Sequence, residues 1–202
     1  MPRNSTSRSS GKSTPVSPYQ GHAKGEPQDV LDILAEDHKK VIKIFDQFKK
    51  LKSQGDANEA ALQALVENAS AELTIHNQAE EELFYPMLRD ATGEADLLDE
   101  AEVEHASARQ LINELAAMQP GDELYDAKFT VLGEYVKHHI HEEETEIFPK
   151  AKKSDLDLEA MGDEVRQRKQ QLREELGLAF EEDEDEDAED DRQRTTERRS
   201  VH

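Results

Sequence analysis

No cysteine occurs in this chain of 202 residues, which removes disulfides, thiolate metal sites and cysteine nucleophiles together. Any metal would have to be held by nitrogen and oxygen. Tryptophan is absent too, and aromatic residues reach only 5%, against 36% charged and 35% hydrophobic residues. That balance suits an all-α protein with exposed helices better than a sheet. Long apolar runs are missing: the first twenty residues carry Arg3, Arg8 and Lys12 among serines, with only Met1, Val16 and Tyr19 as larger apolar side chains. They lack the apolar core of a secretory signal or membrane anchor and the amphipathic face of a transit peptide, so the cytoplasm is the expected location. Positive charge is scarce as well. A formal net charge of -22 repels phosphate backbones and anionic lipid, which argues against nucleic-acid or membrane-surface partners and favours small cations and basic proteins.

Composition divides the chain. Residues 1–27 are rich in Ser, Thr, Gly, Pro and basic side chains and read as a disordered basic arm. Residues 180–202 read as a disordered acidic tail, with ten acids in the eleven positions Glu181 to Asp191 and an Arg-rich tip at Arg192, Arg194, Arg198 and Arg199. Its acidity suits a basic protein partner. Between them, residues 28–152 carry four helical stripes. The first aligns Leu31, Leu34, His38, Val41, Phe45 and Phe48 behind Asp29 as N-cap. The second starts near Asn58 and aligns Leu62, Leu65, Ala69, Leu73, His76, Glu80, Leu83 and Met87, with Pro86 expected to kink or stop it. The third aligns Leu98, Ala101, His105, Ala108, Ile112 and Leu115; the fourth aligns Tyr125, Phe129, Leu132, Val136, His139, Glu143 and Ile147, ahead of Pro149. Residues 153–179 add an amphipathic helix, with Leu158, Met161, Val165, Leu172 and Leu176 on one face.

The second pair of stripes repeats the first. His76, Glu80 and Pro86 recur 63 residues later as His139, Glu143 and Pro149, and His38 recurs 67 residues later as His105. An up-down-up-down four-helix bundle of two related hairpins, with the appended helix covering it, is the simplest arrangement.

Four His and two Glu thus stand on stripes otherwise made of Leu, Ile, Val, Phe and Ala. One such histidine alone would read as a core residue satisfied by a backbone carbonyl. Six polar groups at repeated spacing, two of them carboxylates that are costly to bury unpaired, read as a cation site. Residues i and i+4 share a helical face, so His76 with Glu80 and His139 with Glu143 each present a pair inward, and His38 and His105 add one ligand each. Imidazole with carboxylate suits iron, with manganese and zinc next, and six ligands from four helices fit two metals bridged by carboxylates.

This doubled pattern, His38, His76-x-x-x-Glu80, His105 and His139-x-x-x-Glu143, resembles the hemerythrin-like HHE cation-binding family over about residues 29–151. The resemblance implies a four-helix bundle around two iron ions joined by an oxygen bridge. His38 and His76 would serve one iron, His105 and His139 the other, with Glu80 and Glu143 bridging. It also implies binding of dioxygen or a related small oxidant, in oxygen, redox or iron sensing or storage. Oxygen carriers of that family have a second histidine four residues after the third-helix ligand; here the position is Arg109, which implies a more open site suited to reaction. Arg109 is expected either to donate to a bridging carboxylate or bound oxyanion, or to reach out to Glu102 and Glu104. Tyr135, one turn before His139, is expected on the inward side as a hydrogen-bond partner of the centre or a packed core residue.

Glu81, Glu82, Glu142 and Glu144 are expected on a solvated face, and His138 and His141 at the rim, with His138 a possible substitute for His139 as ligand. Two other functions fit the same residues: a di-iron enzyme that reduces peroxide, and an interaction module that uses the metal only to secure its fold.

Overall fold

The computed structural model describes residues 28–53 and 58–178; the basic arm and the acidic tail expected at residues 1–27 and 180–202 lie outside the described residues. Among the described residues the chain is all helical. Helix α1 spans Val30–Ser53, α2 Glu59–Ala79, α3 Tyr85–Thr92, α4 Asp96–Ala116, α5 Tyr125–Glu142, α6 Phe148–Lys153 and α7 Leu158–Glu175. A single π-helical turn, Glu80–Phe84, joins α2 to α3, and a second, Glu143–Ile147, joins α5 to α6.

The bundle therefore has four rods: α1, α2 with α3, α4, and α5 with α6. They pack as a ring, α1 on α2, α2 on α4, α4 on α5 and α5 on α1, as short connections between antiparallel neighbours require. Capping side chains mark the starts of α1 and α2. Asp29 Oδ1 accepts from the Asp32 amide at 2.9 Å and Asn58 Oδ1 from the Ala60 amide at 3.0 Å. Gly93 ends α3 with φ 72°, a left-handed conformation that glycine adopts without a Cβ penalty.

Neither proline stops its helix, so of the kink or stop expected at Pro86 the stop does not occur. Each sits just beyond a π turn in which the preceding amide reaches back five residues, Tyr85 to the Glu80 carbonyl and Phe148 to that of Glu143. The wider turn accommodates a residue that has no N–H and whose ring crowds the carbonyl four positions back. The extra residue also shifts the helical phase. Phe84, Tyr85 and Leu88 are fully buried and Leu83, expected on the buried stripe, packs half-buried against them, while Met87, expected there too, is 37% exposed.

The core is two apolar clusters separated by a polar layer. One gathers Leu31, Leu34, Phe84, Leu88, Leu98, Phe148, Met161 and Val165; the other gathers Val41, Phe45, Phe48, Leu73, Phe129, Leu132 and Val136. Each such side chain fully removed from water contributes about 1.5–3 kcal/mol, so the clusters fix the height at which the polar layer sits. Helix α7 packs on α1, α2 and the first π turn. Its approach is close: a Cβ on Gly162 would lie 2.9 Å from the Gln28 carbonyl oxygen. No helix among the described residues is long and apolar enough to cross a membrane.

Candidate metal centre

The polar layer consists of the six residues singled out by their spacing. His38, His76, Glu80, His105, His139 and Glu143 are all buried and converge from the four rods. His38 Nε2 lies 3.1 Å and His139 Nε2 3.5 Å from Glu143 Oε2, while His76 Nε2 and His105 Nε2 lie 3.2 and 3.4 Å from Glu80 Oε2. Each glutamate thus touches a histidine from either half of the repeat. Both open a π turn, which rotates the following segment without moving the carboxylate off the inner face.

Behind every histidine stands a second carboxylate. Nδ1 donates to Glu144 from His38 at 2.9 Å, to Asp37 from His76 at 3.2 Å, to Glu81 from His105 at 2.9 Å and to Glu104 from His139 at 2.9 Å. An ionised carboxylate only accepts, so Nδ1 carries the proton and Nε2 is left to face the centre, the arrangement that orients metal-binding histidines. Glu144 is buried and Glu81 is engaged, so neither belongs to the solvated face expected for them; Glu82 does point outward, to Arg168 at 2.6 Å. The signal was present in the repeat. Asp37 and Glu104 immediately precede His38 and His105, and Glu81 and Glu144 immediately follow Glu80 and Glu143, at the same offsets as the inner set.

Buried inward-facing atoms lack partners. His38 Nε2, His76 Nε2, Glu80 Oε1 and Glu143 Oε2 make no hydrogen bond, and His105 Nε2 faces His139 Nε2 at 3.0 Å, a contact that repels unless a proton or cation lies between. Protons alone do not meet this need evenly. Burial disfavours charge on His38, yet Glu143 and Glu144 outweigh it and push the imidazole up to about 9. Burial pushes His76 down to about 4, the neighbouring His38 opposing its protonation while Asp37 only partly offsets this. Burial and the adjacent Glu143 raise the Glu80 carboxyl well above its ordinary value. Burial would raise Glu143 too, but His139, His38 and His76 hold it below the carboxylate range. Cations resolve the conflict without protonating any of them. Two overlapping sets of ligand atoms, each within 4.8 Å of one another, are formed by His38, His76, Glu80 and Glu143 and by Glu80, His105 and His139. All-nitrogen and oxygen donors of this kind fit iron, manganese or zinc.

Tyr85 completes the layer and was not singled out by the sequence reading. Its buried hydroxyl donates to Glu143 Oε1 at 2.9 Å and lies 3.5 Å from Glu80 Oε2, while its ring stacks on His105 at 5.6 Å between centroids. Burial and the two glutamates raise its pKa well above 10, so the phenol keeps its proton and remains a donor. At the equivalent place in the other half, Phe148 stacks on His38 at 5.8 Å and has no hydroxyl to offer.

Two expectations need correction. Tyr135 is 51% exposed and neither packs in the core nor bonds to a residue of the centre; it lines the rim of a cavity. Arg109, 45% exposed, reaches neither a bridging carboxylate nor Glu102 and Glu104, because Glu81 lies nearer: Nη1 donates to Glu81 Oε1 at 2.6 Å, the same oxygen that holds His105. His138, expected at the rim, is 61% exposed and turns to Glu142 at 3.3 Å, so of the two histidines it is His139 that faces inward.

The cavity, about 20 Å³, is lined by the four histidines and by Val41, Leu73, Ala108, Val136 and Ile140, among others. It has room for a water-sized or diatomic molecule in surroundings that are mostly apolar.

Similarity to known proteins agrees with this geometry. A DNA nickase from Nostoc sp. (strain PCC 7120) is 28% identical over 129 residues, 64% of this chain but 35% of that protein, so the chain spans about a third of the length of this curated relative. The crystal structure of a hemerythrin HHE cation binding domain-containing protein from Mycobacterium kansasii superposes with a TM-score of 0.61 at 23% identity, covering 73% of this chain and 88% of that one, which shows a shared fold. Residues 29–151 match the model of the hemerythrin HHE cation binding domain, and the chain belongs to that family.

Proposed function

We propose that this protein is a non-haem di-iron protein that binds dioxygen or a related small oxidant in the cavity lined by four histidines and apolar side chains. The observation that carries the reading is the set of buried, unpartnered ligand atoms on His38, His76, Glu80 and Glu143, with the histidines of the set also lining a cavity of diatomic size. His38 and His76 would hold one ion, His105 and His139 the other, and Glu80 and Glu143 both. When bound, iron supplies electrons and an open coordination position to the oxidant. Glu144, Asp37, Glu81 and Glu104 keep the imidazoles oriented, and Tyr85 holds a proton 2.9 Å from Glu143. Because Arg109 turns to Glu81, position 109 supplies no nitrogen to the centre, which favours reaction over reversible carriage.

The test is elemental analysis followed by absorption spectroscopy of the reduced protein before and after exposure to air. Two irons per chain and a new near-ultraviolet band with uptake of dioxygen are expected. A full metal complement with an unchanged spectrum would leave the metal a structural role only. Sustained consumption of added hydrogen peroxide would identify the peroxide-reducing enzyme instead.

A further inference from the structure

Helix α7 is more than a cover. It buries Met161, Val165 and Leu172 against the first hairpin, and its basic side chains meet acids of α1, α2 and the first π turn. Arg173 forms a two-pronged pair with Glu72 at 2.9 and 3.1 Å, Arg168 bonds to Glu82 at 2.6 Å, and Lys169 donates to Asp37 Oδ1. The last pair differs from the others in consequence. The second oxygen of Asp37, Oδ2, accepts from His76 Nδ1. Lys169 and Asp37 are both largely buried, so Lys169, Asp37 and His76 form one chain from α7 to the centre.

Among the described residues the equivalent acid in the second hairpin has no such support. Glu104 Oε2 accepts from His139, but its other oxygen faces the exposed His138, at 3.7 Å. Two carboxylates that occupy the same place in the repeat therefore hold their histidines under different constraint. One is pinned by a buried ammonium on a docked helix and the other turns toward solvent.

We propose that α7 is a positioning element for one half of the centre: Lys169 fixes Asp37 and, through it, the His76 imidazole, so that the two metal positions of a duplicated bundle hold their ions unequally. The inference rests on the two-metal reading above. Partners that orient a ligating histidine are typically worth about 10–100-fold in metal affinity. Lys169 acts one bond further out, and a change of about 10-fold at a single position is expected.

Stepwise titration of metal-free full-length protein with Co²⁺, followed by visible absorption, reads the two positions separately. Lys169→Met should weaken one binding step about 10-fold and leave the other unchanged, Lys169→Arg should recover most of that loss, and Arg168→Met, which removes an α7 ion pair that holds no histidine, should change neither step. In an Asp37→Asn background, Lys169→Met should have no further effect. Circular dichroism checks that helix content is retained in each variant. Equal weakening of both steps, no weakening at all, an Arg168→Met effect matching that of Lys169→Met, or an undiminished Lys169 effect in the Asp37→Asn background would overturn the inference and leave the two-metal reading standing. A wild-type protein that takes up fewer than two Co²⁺ would overturn that reading itself, and this inference with it.

Discussion

The two hairpins of the bundle present the same inner residues from different surroundings. His38, His76 and Glu80 in the first match His105, His139 and Glu143 in the second, and the outer acids Asp37 and Glu81 match Glu104 and Glu144. Around them the halves diverge. The first hairpin carries Tyr85 and is clamped by α7; the second has Phe148 in place of Tyr85, and Arg109 where the first has Ile42. Duplication thus accounts for a symmetric set of ligand atoms, and the departures from it lie in the groups that orient and neutralise those atoms. Any chemical difference between the two proposed metal positions should follow from those groups.

The largest effects should come from the residues the halves share. Glu80 and Glu143 each approach a histidine from both hairpins, so Glu80→Gln or Glu143→Gln is expected to reduce bound metal toward zero. His76→Ala or His139→Ala should remove about one ion and spare the other. Elemental analysis of the four variants makes the distinction. Because the ligands are buried, metal loss should also lower the thermal midpoint by several degrees. Equal stoichiometry in all four would show that the glutamates do not link the halves.

Next comes the tyrosine that only one half has. Tyr85→Phe removes a hydrogen bond to a buried carboxylate, which is expected to cost about 2 kcal/mol in denaturant unfolding. Adding Phe148→Tyr places a hydroxyl at the equivalent position of the other hairpin, where the two-fold relation aims it at Glu80. Partial recovery of stability in the double variant is expected. An unchanged Tyr85→Phe protein would mean that Glu143 is satisfied without it.

How far the sequence revealed this centre follows from what each residue does. The six inner residues were legible because polar groups on an apolar stripe violate the pattern that the rest of each helix obeys. Asp37, Glu81, Glu104 and Glu144 were not, because an acid beside the stripe looks the same whether it meets water or an imidazole on another rod. In a chain with 47 acidic residues that ambiguity is severe. Tyr85 was hidden by the π turn: it stands five residues after Glu80, off the stripe that an uninterrupted α-helix would turn inward, and the extra residue of the turn brings it there. Tyr135 failed for a related reason, since sharing a helical side with His139 does not decide whether a residue is packed in the core or stands at the edge of a cavity.

The clamp on the first hairpin gives a pH-dependent prediction. Burial would raise Glu72, but Arg173 and Lys40 outweigh it and hold the carboxyl below its ordinary value of 4.5. A carboxyl lowered on folding contributes stability that is present above its unfolded pKa and lost as pH falls through the folded value. Glu72→Gln should therefore destabilise the protein by about 1 kcal/mol at pH 7 and progressively less below about pH 4, because wild type loses the same contribution there. Urea unfolding at pH 7 and pH 3.5 measures it, and a mutational effect that is equal at both pH values would mean that Glu72 is not ionised in these pairs.

The smallest effect is expected on the opposite side, at Arg109. Its guanidinium donates to Glu81, which holds His105, so its place in the hydrogen-bond chain resembles that of Lys169, but it is half exposed and water competes for the same carboxylate. Exposed pairs of this kind contribute roughly 0–1 kcal/mol, and Arg109→Ala should change global stability by no more than that. Its influence on metal should be correspondingly slight and confined to the ion held by His105 and His139, complementary to the position that Lys169 affects. Arg109→His separates this structure from the expectation carried by oxygen-carrying relatives, in which a histidine at this position would bind iron. Because side chain 109 emerges on the solvent side of α4 and bends to Glu81, the new imidazole should remain outside the centre, and Arg109→His should behave as Arg109→Ala does in metal affinity and in the rate at which air oxidises the reduced protein. A slower oxidation found in Arg109→His alone would show that position 109 can turn inward, and the openness of this half of the centre would then be set by the single residue that differs there.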